Sequence, residues 1–161
     1  MDEKNLVAEK FILEREEILD ILPFAPEWVI PNRISKRYKY PVTGEVIGLS
    51  AEQRVDGSAW WTKMHFPGNP VFPGVLMLEG LNQVAGILLF LTSQERRKGI
   101  PPVFFTGFGN GLIKKQAVPG DTVKYTVWKL RQRFRTVKFV GQVKIEGKKA
   151  METSISLTIA E

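Results

Sequence analysis

The stretch HFPGNPVFPGVLMLEGLNQVAGILLFL, residues His65–Leu91, holds the sole histidine of the chain, a loop with three prolines and a long apolar run with one carboxylate. Pro67, Pro70 and Pro73 fix φ at three places, and Gly68 and Gly74 permit tight turns, so the loop confines its side chains to a narrow range of positions. A helix is expected to begin at Pro73-Gly74, since proline suits the first helical turn, and to cover residues 74–93. Its apolar residues reach nearly every face, which predicts a helix buried in a core. Beyond it, Arg96, Arg97 and Lys98 suit a helix C-terminus and Gly99 suits the stop. A membrane span is the rival reading of so apolar a segment. Glu79, Asn82 and Gln83 in its first half weigh against it, because polar groups in lipid are costly.

Two side chains in this stretch can move protons. Glu79 and Gln83 are four residues apart, so they share a helix face and the amide can hydrogen-bond the carboxyl. A carboxyl set among Leu76, Leu78 and Leu81 is a candidate acid. His65, at the mouth of the stiff loop, carries the one side chain that ordinarily titrates near neutrality, a candidate base. Base and acid on a rigid connector suit proton abstraction coupled to elimination. The free N–H groups near Gly74, helped by the helix dipole, can face a developing oxyanion. Taken singly, the histidine is an ordinary loop residue and the glutamate an ordinary exposed or ion-paired one. The Pro/Gly spacing that joins them tips the balance to chemistry.

The pattern H-F-P-G-x-P-V-x-P-G-V-L-x-x-E-x-x-x-Q, His65 to Gln83, resembles the signature of the β-hydroxyacyl-[acyl-carrier-protein] dehydratases, the FabZ/FabA-like family. The turn Val118-Pro119-Gly120-Asp121 is similar to one in the same family. The resemblance implies an α+β hotdog fold, an antiparallel β-sheet wrapped around one long central helix. It implies dehydration of a β-hydroxyacyl thioester to a trans-2-enoyl thioester, with His65 as base and Glu79 as acid. Gly74 would polarise the thioester carbonyl and Gln83 would orient Glu79. The implied partners are acyl carrier protein and a second copy of the chain, since the family builds each site from two subunits; a trimer of dimers is the larger alternative. Glu rather than Asp at position 79 resembles the plain dehydratases more than the isomerising branch. A hotdog thioesterase and a non-catalytic acyl-binding subunit are the competing readings. The stretch Phe24–Arg33 departs from the family's H-R-Y-P-F-L-L-V-D-R, which leaves chain length open. Met64 stands where the family often has glycine.

Composition agrees with one soluble domain over residues 1–161. With no cysteine and one histidine, neither disulfides nor a metal site is expected, and no cofactor is implied. The N-terminus lacks an apolar export core, so a cytoplasmic location is expected. A net charge of +6 comes with no nucleic-acid motif. Its clusters at Lys36–Lys39, Arg96–Lys98, Lys114-Lys115 and Arg131–Arg135 are solvated surface or a rim that steers an acidic carrier protein.

Leu6, Phe11, Leu13, Ile18 and Leu22 predict an N-terminal helix within residues 1–22, ended by Pro23. Ile34–Tyr40, Glu45–Val55, Val103–Phe108, Leu112–Val118, Thr122–Leu130, Val137–Ile145 and Ala150–Ile159 read as strands, with Gly147-Lys148-Lys149 as a turn. Trp60 and Trp61 are assigned to the core or to an interface rather than to ligand stacking.

Overall fold

The computed structural model describes residues 5–93 and 102–160. Its sheet has seven strands. They are β1 (Val7–Leu13), β2 (Arg33–Lys39), β3 (Val46–Arg54), β4 (Val103–Phe108), β5 (Thr122–Arg133), β6 (Thr136–Ile145) and β7 (Lys148–Ile159). They lie in the order β1-β2-β3-β5-β6-β7-β4, and every pairing is antiparallel. Among the described residues there are also a short helix α1 (Arg15–Ile21), the long helix α2 (Gly74–Thr92) and two 3-10 turns, Pro26–Trp28 and Trp60–Lys63. The strand alternation explains the sheet. In β6, Val137, Phe139, Val143 and Ile145 point inward, and Met151, Ile155 and Leu157 do so from β7. These two strands therefore bury every second residue on the side that meets α2 and leave the alternate residues more exposed. This is the expected hotdog architecture.

Helix α2 packs mainly on β5 and β3, then on β6 and β7. Leu76, Met77, Leu81, Val84, Ala85, Ile87 and Leu88 are all buried. The helix is long and apolar enough to cross a membrane by length and composition, but the sheet already covers these side chains. Two glycines set how closely helix and sheet approach. A Cβ on Gly80 would lie 2.5 Å from Cε1 of Tyr125, and one on Gly141 of β6 would lie 2.7 Å from Leu81. The Tyr125 hydroxyl donates to Gln53 Oε1 at 2.6 Å. Burial pushes this phenol well above its ordinary pKa, so it stays a donor.

Helix α2 starts at Gly74, with Pro73 as its N-cap, and closes at Thr92 with Ser93 as its C-cap. The basic run Arg96–Lys98 and Gly99 lie outside the described residues. The expected N-terminal helix is corrected. Among the described residues, α-helix there covers only Arg15–Ile21, while Val7–Leu13 is a strand on β2. The apolar residues there are spaced unevenly for a helix, and pairing satisfies the outer edge of β2. Glu9 also forms ion pairs with Arg37 and Lys39 of β2, and the Arg37 guanidinium lies 4.9 Å from the Phe11 ring centroid. The cluster Lys36–Lys39 is thus partly neutralised from within the chain.

A second correction concerns Leu112–Val118, which forms no strand. It runs extended past β7, touching it through Lys114 N–H to Ala150 O at 2.7 Å, and its Ala117 carbonyl accepts from Phe72 at 2.8 Å. Isolated bonds to two different neighbours do not make a ladder. The last hairpin turns at Glu146 and Gly147, both at positive φ (47° and 75°), as a tight two-residue turn requires. Lys148 and Lys149 already belong to β7.

Candidate active site

The proline-rich loop is clamped at its neck. Val71 N–H donates to the His65 carbonyl at 2.8 Å, and His65 Nδ1 lies 2.8 Å from the Val71 carbonyl. A carbonyl only accepts, so Nδ1 carries the proton and the neutral ring keeps its lone pair on Nε2. His65 N–H in turn donates to the Trp61 carbonyl at 2.9 Å. Trp61 is buried and meets Phe72 edge-on at 5.3 Å, which fixes both sides of the loop to the core. Trp60, its neighbour, is half exposed and stacks on Trp28 at 6.2 Å.

Gly74 follows the loop as the first residue of α2. Its amide has no acceptor within the helix, as for any first-turn N–H. A Cβ here would overlap the end of the Ile113 side chain, so glycine allows residues 112–113 to lie against the helix start.

Glu79 lies five residues further along α2. That places it about 7.5 Å along the axis and roughly 140° around it from Gly74. Its Oε1 accepts from Gln83 Nε2 at 2.9 Å and from the Trp28 indole N–H at 3.2 Å. Gln83 is buried and fully engaged: Nε2 also reaches the Trp28 carbonyl at 2.9 Å, and Oε1 accepts from Ile30 N–H at 2.8 Å. One glutamine thus ties the carboxyl to the Trp28–Ile30 loop, and Oε2 of Glu79 takes none of these bonds. Arg15 of α1 holds the same loop from the other side through the carbonyls of Pro26, Val29 and Pro31.

Glu79 and Gln83 open onto a cavity of about 430 Å³, walled by residues that include Leu22, Phe24, Trp28, Asn82, Phe104, Phe105 and Leu157. His65 and Gly74 do not line it. Within one chain the structure therefore joins His65 to Gly74 through the loop and Glu79 to Gln83 through the helix, but it does not bring the pairs into one cavity. Two residues of the Glu79 cavity escaped the sequence reading. Trp28 is 51 positions from its carboxylate partner, a separation that no local pattern encodes. Asn82 was visible only as a polar interruption in an apolar run.

Comparison with known proteins agrees with this fold. The FabA-like domain profile matches residues 40–154. A curated relative from Idiomarina loihiensis, named 3-hydroxyacyl-[acyl-carrier-protein] dehydratase FabZ, is 30% identical over 138 residues, covering 86% of this chain and 87% of its own. A protein of the same name from Yersinia enterocolitica is 31% identical over 144 residues, covering 88% and 80%. Among solved structures, the dehydratase heterocomplex ApeI:P from Xenorhabdus doucetiae superimposes with a TM-score of 0.69 at 13% identity, covering 92% of each chain. A hypothetical thioesterase with coenzyme A from Streptococcus pneumoniae reaches 0.54 at 10% identity, covering 71% of this chain and 79% of that one. At such identities these two structures speak to the fold alone. The sequence matches go further, and with the helix-borne glutamate and glutamine and the clamped histidine they lead to one conclusion: the chain belongs to the FabZ/FabA-like family of hotdog-fold dehydratases.

Proposed function

We propose that the protein dehydrates a β-hydroxyacyl thioester carried on acyl carrier protein, in a site shared between two copies of the chain. His65 Nε2 takes the proton from the carbon next to the thioester carbonyl. The electron pair becomes the new carbon–carbon double bond as the C–O bond breaks. Glu79 of the other copy gives its proton to the departing oxygen, which leaves as water. The Gly74 amide, at the N-terminus of α2, receives the negative charge that builds on the thioester oxygen. Neither metal nor cofactor enters this scheme.

The observation that carries this reading is the separation of the pair within one protomer. Glu79 opens onto a cavity that His65 does not line, which supports a base supplied by a second copy. The chain offers a surface for that copy. Phe104, Phe105, Phe108, Leu112 and Ile113 are all exposed, the kind of apolar surface that a partner chain covers. Ile113 touches the helix start at Gly74, so this patch adjoins the proline-rich loop.

The test mixes two inactive variants, His65→Ala and Glu79→Ala. Each alone should lose about 10²–10⁴-fold in kcat, the usual worth of a proton-transferring group. Statistical exchange of subunits should restore about a quarter of wild-type activity, because half of the pairs keep one intact site of two. No recovery after confirmed exchange would reject the shared site. Two thioesterases share the fold, so the assay also follows free thiol. Thiol release without loss of the hydroxyl would replace dehydration with hydrolysis.

A further inference from the structure

Three glycines lie in α2, and packing explains two of them. A Cβ on Gly74 would overlap Ile113, and one on Gly80 would overlap the Tyr125 ring. Gly86 has no such neighbour. Among the described residues outside its own stretch of helix, a Cβ there would meet only Cδ2 of Leu22, at 3.9 Å, an ordinary contact. Its φ is not positive, so no special backbone conformation requires glycine either. Glycine is also the poorest helix former after proline. From Gly80 to Leu88, Gly86 is the one residue that is not buried, and it lines the Glu79 cavity. The missing side chain leaves room in that cavity.

Gly86 is seven residues beyond Glu79, about 10.5 Å along the axis and within about 20° of it around the helix. The two therefore share a face, with Asn82 and Gln83, which also line the cavity, between them. Phe90, the next residue on that face, does not line it. Along α2 the cavity thus runs from Glu79 to Gly86.

We infer that Gly86 is a specificity-determining residue, which sets how long an acyl chain the protein accepts. This deepens the dehydratase reading and rests on it. With the hydroxyl end of the substrate at Glu79, the tail needs a dry path. Leu22, Phe24, Phe104, Phe105 and Leu157 wall one, and each methylene buried there favours binding. An extended alkyl chain, with C–C bonds of about 1.5 Å, advances about 1.25 Å per carbon. The run from Glu79 to Gly86 then takes about eight carbons beyond the one that bears the hydroxyl. The substrate class is a 3-hydroxyacyl group of about ten to twelve carbons, its tail beside Gly86 and Leu22.

The test compares 3-hydroxyacyl thioesters of four, eight and twelve carbons on acyl carrier protein, with the parent, Gly86→Ala and Gly86→Leu. The ratio of kcat/KM for twelve carbons to that for four should fall about 10- to 200-fold in Gly86→Leu, the discrimination an apolar pocket gives against added bulk. Gly86→Ala should fall between. It should also melt higher than the parent, because alanine is the better helix former and the space is open. Both variants should sediment as the parent does. An unchanged ratio overturns the role of Gly86 and leaves dehydration by the parent intact, as does a parent that rejects the twelve-carbon substrate. A Gly86→Leu protein that falls into single chains overturns it too, since the space would then belong to a partner's side chain. A parent that dehydrates no chain length overturns the dehydratase reading and this inference together.

Discussion

Glu79 shares one carboxylate oxygen between a side chain one helical turn away and an indole from a distant loop. The first contact follows from a four-residue spacing, and the sequence shows it directly. The second depends on how the Phe24–Asn32 stretch folds over α2, which only tertiary structure decides. Trp28→Phe keeps the stacked ring but removes the N–H. It should lower kcat about three- to tenfold, the value of one hydrogen bond of ~1 kcal/mol, with KM unchanged and the stacking on Trp60 retained. A rise in KM with kcat unchanged would show that the indole serves binding instead. His65 was legible as a candidate because it is the sole histidine, but its tautomer was not. The Val71 carbonyl sets it, and that carbonyl is held there by a backbone contact, Val71 N–H to the His65 carbonyl, rather than by any side chain.

Among the elements, α2 was the most legible, since its apolar run and its Pro-Gly start are both local signals. How tightly it sits was not. Gly80 faces the buried Tyr125 ring, whose hydroxyl is tied to Gln53, so the ring cannot retreat. Gly80→Ala gains about 1 kcal/mol of helix propensity but overpacks a fixed neighbour, at about 1–3 kcal/mol. The second effect should win, giving a lower urea midpoint. At the N-terminus the reading failed for a physical reason: an uneven mix of apolar and charged residues also suits an edge strand with ion-paired neighbours. The Lys39 ammonium, and after it the Arg37 guanidinium, hold the Glu9 carboxyl below its ordinary value of 4.5. A depressed folded pKa stabilises the fold above the unfolded value, and the benefit is lost as pH falls through the folded one. Glu9→Gln should therefore melt lower than wild type above about pH 4.5, and the gap should close as the pH drops further. A gap that widened in acid would contradict the ion pairs.

For the whole molecule, the sheet around a helix was readable from alternation and from the central motif, and the family profile agrees. Which faces lie bare was not readable, because exposure depends on how distant strands assemble. Strand β4 ends the sheet, and there Phe105 and Phe108 stack at 6.0 Å on the outside, with Phe108 67% exposed. Phe108→Asp should yield single chains in sedimentation and lose activity, while its circular dichroism stays that of the parent. Active single chains would place both halves of the chemistry in one copy. Trp28 has a last consequence. Indole is a natural fluorophore, and its emission colour follows the charge beside it. Under the proposed mechanism the carboxyl that this indole touches gains and loses a proton in each cycle, which would make the ring an unlabelled optical gauge of turnover, readable by stopped-flow light in real time.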